Sequence, residues 1–260
     1  MKKKAVALML STVMAMGMVS AASVQASVED KTLIVGFDAE YPPFGYKDDN
    51  GEYVGFDLDL AQEVCDNLGW ELVKKPINWD SKDMELNSGT IDCIWNGFTI
   101  NGREDDYTWS DPYINNEQVI VVAKDSGIAS QADLAGKVVE CQVDSSAEAA
   151  LKEVPDLTAT FKQLLTTADY NSAFMDLEQG AVDAIAMDVI VAGYQIQQRN
   201  ADFIILEDSL SAEEYGVGFK KGNTELRDKV QATLEEMAAD GTLKSVSEKW
   251  FGEDVTTIGK

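Results

Sequence analysis

The chain has 260 residues, enough for one or two domains of roughly 100–200 residues each, and 45% of them are hydrophobic, which excludes a globally disordered chain. Its 46 Asp and Glu against 21 Lys and Arg leave a net charge of −25, which excludes nucleic acid as a partner because phosphate contacts rest on Lys and Arg. No His is present, so Ser-His-Asp triads, Cys-His pairs and most zinc sites are excluded.

Residues 1–26 read as a secretory signal peptide. Lys2 to Lys4 form a basic start, Ala5 to Val19 an apolar run, and Val24-Gln25-Ala26 a small-residue cleavage site. An uncleaved anchor is the alternative, but a span needs about 20 apolar residues. No Cys lies near the cleavage region, so a lipid-anchored terminus is not expected. Removing three lysines and no acids leaves 18 basic against 46 acidic residues, a charge of −28. The mature chain is expected to be soluble and exported, periplasmic or secreted. Cys65, Cys93 and Cys141 are expected as buried free thiols; a Cys65–Cys93 disulfide is the alternative that spacing leaves open. None has metal-ligand spacing, so neither metal nor cofactor is expected.

Thr32 to Gly36 is a short β-branched run that the prolines of Asp38-Ala-Glu-Tyr-Pro-Pro-Phe44 end, so the first element is a strand leading into a loop. Apolar residues from Phe56 to Leu68 recur at helical spacing and stop at Gly69. Glu71 to Ile77 predicts a second strand, Trp79 to Ser88 a short helix, and Ile91 to Trp95 a third strand. This alternation predicts a parallel α/β sheet. A second series follows. Gln118 to Ala123 and the end of Leu134–Cys141 are strands, and Ser145 with Glu148 fits a capping box opening the helix Ala147–Val154. Helix Tyr170–Gln179, strand Ala181–Met187, helix Val189–Arg199 and a helical stretch Glu225–Trp250, interrupted at Gly241, complete it. No linker separates the series, so two intimately connected lobes are expected.

Several segments together carry a resemblance. Leu33-Ile-Val-Gly-Phe-Asp38, Tyr41-Pro-Pro-Phe44, Gly55-Phe-Asp-Leu-Asp-Leu60, Asn96-Gly-Phe-Thr-Ile-Asn-Gly-Arg103, Trp109-Ser-Asp-Pro-Tyr113, Val182-Asp-Ala-Ile-Ala-Met-Asp188 and Tyr215-Gly-Val-Gly-Phe219 are similar, in order, to the extracellular solute-binding proteins of family 3, the amino-acid receptors of ABC importers. The resemblance implies a two-lobed, type II periplasmic-binding-protein-like α/β fold with ligand in the cleft and two chain crossings. One lobe would combine 28–115 with 216–260, the other would be 118–212, and the hinge would lie near 113–118 and 212–215. It also implies a monomer that binds a free amino acid by hinge closure and delivers it to a membrane permease. An enzyme on the same fold, such as a dehydratase, and an extracellular sensory module are the alternatives.

A free amino acid is a zwitterion, so such a receptor needs an anion site and a cation site a few ångströms apart. Arg103 offers a two-pronged donor for the carboxylate, Thr99 a hydroxyl, and the helix opening at Ser145-Ser146 free N–H groups and a favourable dipole. The resemblance gives Asp188 to the ammonium, with backbone near Gly97 as a second candidate. Tyr41 and Trp79 align with aromatic residues that sandwich the ligand's side chain, while Asp38, Asn96 and Gln142, with Glu40, face its far end. Two departures from the family pattern stand out: Thr99 to Ser110 is one residue short, and Asp144 replaces a common Gly, where helix capping is its expected role.

Overall fold

The computed structural model describes residues 31–199 and 201–260; the expected signal peptide lies outside them. In chain order the strands are β1 (Thr32–Phe37), β2 (Glu40–Tyr41), β3 (Gly45–Lys47), β4 (Tyr53–Val54), β5 (Glu71–Pro76), β6 (Cys93–Ile94), β7 (Tyr107–Trp109), β8 (Ile114–Ala123), β9 (Val138–Gln142), β10 (Gln163–Thr167), β11 (Ala184–Asp188), β12 (Phe203–Ile205), β13 (Ser211–Tyr215) and β14 (Gly218–Lys220). The helices are α1 (Phe56–Leu68), α2 (Lys82–Ser88), α3 (Ser146–Glu153), α4 (Pro155–Thr158), α5 (Tyr170–Glu178), α6 (Val189–Arg199), α7 (Thr224–Asp240) and α8 (Thr242–Phe251).

Among the described residues the strands form a five-stranded sheet, β5-β1-β6-β14-β7, and a six-stranded sheet, β10-β9-β11-β8-β12 with β13 added to β8. Each is the centre of one lobe. A small β2-β3-β4 sheet flanks the first. The helices form as the spacing predicts: α1 buries Phe56, Leu60, Ala61, Val64 and Cys65 and closes on Gly69 in the left-handed conformation, and Gly241 separates α7 from α8. The apolar stripe of α1 packs on β1 and β5, and the α7–α8 pair packs on α1, burying the core of the first lobe.

The sheets are mixed rather than purely parallel. β1 runs parallel to β5 and β6, and β9 parallel to β10 and β11, but β14 and β8 pair antiparallel with their neighbours. The reason is connectivity. β8 enters the second sheet, and β14 the first, from the opposite lobe, so each runs against the βα units already there. β8 is also longer than expected: its first half, Ile114–Gln118, pairs with β13 from Tyr215 to Ser211. These paired strands connect the two lobes. The three cysteines are buried and free.

Candidate functional site

In open α/β sheets the carboxyl ends of parallel strands face the crevice where ligands bind. Here β1 ends one residue before Asp38, β6 leads into Asn96-Gly97, β9 ends at Gln142 and β11 ends at Asp188. The two sheets present these ends to one another. Asp38, Tyr41, Trp79, Asn96 and Gly97 from the first lobe and Gln142, Ser145, Ser146 and Asp188 from the second line one narrow cavity, drawn in to about 10 Å³ in this structure. Thr99 and Arg103 are not in its wall but bond to Ser146, which is.

At the basic end, Arg103 Nη1 donates to the Thr99 carbonyl (3.3 Å) and to Ser146 Oγ (3.1 Å), and Nη2 donates to the Asp144 carbonyl (3.4 Å). The guanidinium lies over the Phe98 ring at 5.3 Å, an arrangement that fixes its plane. Ser146 Oγ in turn donates to Thr99 Oγ1 (2.7 Å). The Ser145 hydroxyl caps α3 by accepting from the Glu148 N–H (3.1 Å), and the first N–H groups of that helix, at the cavity-lining Ser146, have no intrahelical partner.

Asp144 is not the cap. It has φ 56°, a left-handed conformation that Gly adopts freely and that Asp tolerates. Its N–H donates to the Glu148 carboxylate (2.7 Å), so the return bond of the capping box falls one residue early. Its own carboxylate pairs across the cleft with Lys82, whose side chain is 2% exposed and lies 5.1 Å from the Trp79 ring centroid. The extra negative charge is therefore neutralised by a lysine of the other lobe.

At the acidic end, Asp188 is 3% exposed. Its Oδ1 accepts from Asn116 Nδ2 (2.9 Å), Gln118 Nε2 (2.8 Å) and the Tyr215 hydroxyl. Gly97 has φ 55°, and a side chain there would meet the rings of Tyr41 and Tyr215 at 3.1 Å, so only glycine allows this approach. Its N–H donates to Asp57 Oδ2 (2.6 Å), which also accepts from Tyr113 Oη (2.9 Å).

At the far end, Asp38 Oδ1 accepts from the Glu40 N–H (2.8 Å) and Oδ2 accepts from Gln142 Nε2 of the other lobe (2.6 Å). Burial pushes the Asp38 carboxyl up to about 6. Asn96 accepts from the Asp38 N–H through Oδ1 (2.9 Å), while its Nδ2 is buried without a partner beside Gly45. Trp79 meets Phe98 edge-on at 5.4 Å and lines both this cavity and a larger outer pocket of about 600 Å³. Glu40 lies in that outer pocket with Asp80, Glu85 and Asp169, outside the inner cavity. Trp95 is core, at 0% exposure.

Sequence reasoning missed Lys82, Asp57, Tyr170, Asn116, Gln118, Glu213 and Tyr215. A signal existed for the two amides: Asn116 and Gln118 alternate on one face of a strand that is otherwise apolar on that side.

The family-wide sequence pattern of bacterial extracellular solute-binding proteins, family 3, matches residues 33–253. The chain belongs to this family. Among family 3 relatives, the L-cystine-binding protein TcyJ of Escherichia coli (strain K12) is 34% identical over 259 residues, covering 95% of this chain and 96% of TcyJ. Among solved structures, a substrate-binding protein of an ABC uptake transporter from Streptococcus pneumoniae with bound histidine superimposes with a TM-score of 0.88 at 33% identity, over 92% of this chain and all (100%) of that one. An ancestral arginine-binding protein bound to glutamine gives 0.79 at 41% identity, over 86% of this chain and 99% of its own.

The buried acids set a pH dependence of stability. Burial holds Asp38 at about 6, Asp57 at about 7 and Glu213 at about 8, all above their unfolded values. Between the unfolded and folded values the folded state binds more protons, so stability falls as pH rises. The melting temperature of the ligand-free family 3 protein should be highest near about pH 4 and decline toward about pH 8. A scan that rises from pH 5 to pH 8 would contradict these environments.

Proposed function

We propose that the protein is an extracytoplasmic receptor that binds a free amino acid between its lobes and delivers it to the membrane permease of an ABC importer. One observation carries this reading: the Arg103–Ser146 corner with the N-terminus of α3 and the carboxylate of Asp188 flank one enclosed cavity. That charge arrangement matches the two ends of a zwitterion. The carboxylate would accept from Arg103 and the α3 N–H groups, the ammonium would donate to Asp188, and Tyr41 and Trp79 would hold the stem of the side chain. Relatives named for cystine, arginine and glutamate support the substrate class.

Residues 1–26 are proposed as an export signal. The lobes, 28–115 with 216–260 and 118–212, are proposed to turn about the β8–β13 connection. Ligand contacts made only in the closed state would shift the population toward it. Small-angle X-ray scattering should show a smaller radius of gyration at ligand saturation; an unchanged curve at proven saturation would count against hinge closure.

The far end favours a polar or cationic side chain. Asp38 sits in the inner cavity, and the outer pocket beyond it adds Glu40, Asp80, Glu85 and Asp169. An acidic ligand would place a carboxylate against them, with its desolvation uncompensated. Calorimetry over the twenty amino acids and cystine should rank a polar or cationic ligand first, and glutamate or aspartate as the tightest ligand would contradict this. The dehydratase-like reading would assign Asp38 as an acid, since its carboxyl is raised to about 6; loss of bound amino acid over hours, followed by mass spectrometry, would favour it.

A further inference from the structure

Asp188 is one of two carboxylates on the ammonium wall. Glu213, on β13, is 5% exposed. Its Oε1 accepts from Asn116 Nδ2 (2.6 Å) and from Gln118 Nε2 (2.8 Å), the same two amides that donate to Asp188. The amides hold the two acids together. The phenols of Tyr41, Tyr170 and Tyr215 face the pair, and on its outer side Glu213 borders a groove that it shares with Arg103, Asp144, Glu148, Lys152 and Glu153. The neighbouring acids along the strands, Glu117 and Glu214, are exposed. Among the described residues neither Asp188 nor Glu213 has an ion pair with Lys or Arg. Two buried carboxylates this close cannot both ionise without a compensating charge.

We propose that Asp188 and Glu213 form an acid pair that holds one proton, and that the ammonium group of an arriving ligand displaces it. This rests on the reading above that Asp188 receives the ammonium. The incoming positive charge compensates the second carboxylate, and the proton leaves to solvent. No bond other than the O–H breaks. The placement also ties ligand charge to the hinge. Asn116 and Gln118 belong to β8 and Glu213 to β13, and Asn116 pairs with Glu213 in the ladder connecting the lobes. Glu213 is thus a positioning residue for the ammonium, and it makes affinity depend on pH. Burial first, then the charge of Asp188, push its carboxyl up to about 8, so it keeps its proton at neutral pH.

Carboxyl ¹³C NMR of the ligand-free protein, with Glu213→Gln to assign the signal, tests the pair directly. A Glu213 carboxyl titrating above about pH 7 is expected; one that titrates with exposed glutamates near about 4–5 overturns the proposal. Calorimetry with L-arginine, L-histidine, L-glutamine and L-cystine, in two buffers of different ionisation enthalpy, then counts protons. For each ligand that binds, the wild type should release about one proton at pH 7 and Glu213→Gln none. Wild-type affinity should rise by about tenfold per pH unit from 6 toward 8, while that of Glu213→Gln stays flat. Equal proton counts in the two proteins overturn the proposal. Should none of the four bind, the carboxyl titration decides alone. Asp188→Asn separates the two readings. If it binds like wild type, the ammonium lies elsewhere and the receptor geometry fails. If it binds weakly while wild type and Glu213→Gln release the same protons, only the acid pair fails.

Discussion

Arg103→Ala should weaken binding of the tightest amino-acid ligand by about 30- to 3,000-fold and leave the ligand-free protein folded. Truncating one partner of a desolvated, hydrogen-bonded charge pair costs about 2–5 kcal/mol, and each 1.4 kcal/mol is tenfold. The guanidinium does double duty, because its contacts to Ser146 Oγ and the Asp144 carbonyl also join the two halves of the site. Arg103→Lys should recover only part of the loss, since a point charge cannot reproduce the two-pronged contact. Lys162, exposed and outside the cleft, supplies the control: Lys162→Ala should bind within a few-fold of wild type. Normal binding by a folded Arg103→Ala protein would move the anion site elsewhere, and the loop shortened between Thr99 and Ser110 would be the first place to look.

Asp57→Ala should act on the fold instead. Asp57 is fully buried, and its Oδ2 is the acceptor for both the Gly97 N–H and the Tyr113 hydroxyl. Removing it orphans two buried donors at a cost of about 2–5 kcal/mol. At roughly 2–4 °C per kcal/mol for a chain of this size, the melting temperature should fall by about 5–20 °C. Asp57→Asn keeps an acceptor for both donors and should retain most of the stability. It also removes an acid that burial holds at about 7, so the loss of stability between pH 4 and 7 should be shallower than in wild type. Equal melting temperatures for Asp57→Ala and wild type would show that the Gly97 loop is held by other contacts. Because Gly97 borders the ligand cavity, this buried acid positions the site without touching it.

Hydrophobic periodicity and turn chemistry made most elements legible. The helix ending at Gly69 and the break at Gly241 follow from residues that can adopt the left-handed conformation. Strand direction was not legible, because whether β8 and β14 run with or against their neighbours depends on which lobe the chain has just left. The cavity-lining residues drew on the family resemblance, and the short motifs around Asp38, Asn96 and Asp188 lie at strand ends brought together by the fold. Lys82 was invisible for a different reason. A lysine on a short polar helix reads as solvated, and only the approach of Asp144 from the other lobe gives it a buried partner. Glu213 was hidden likewise: in Ser211-Ala-Glu-Glu-Tyr215 nothing local says that one of two adjacent acids points inward, because strand alternation needs the β8 register to fix its phase.

A crystal structure of the protein with its tightest amino-acid ligand tests the receptor geometry most directly. The ligand carboxylate should lie within hydrogen-bond distance of Arg103 and the N–H groups opening α3, and its ammonium against Asp188, with Tyr41 and Trp79 along its side chain. A ligand bound in the outer pocket, or held in the cavity with its carboxylate toward Asp188, would contradict it.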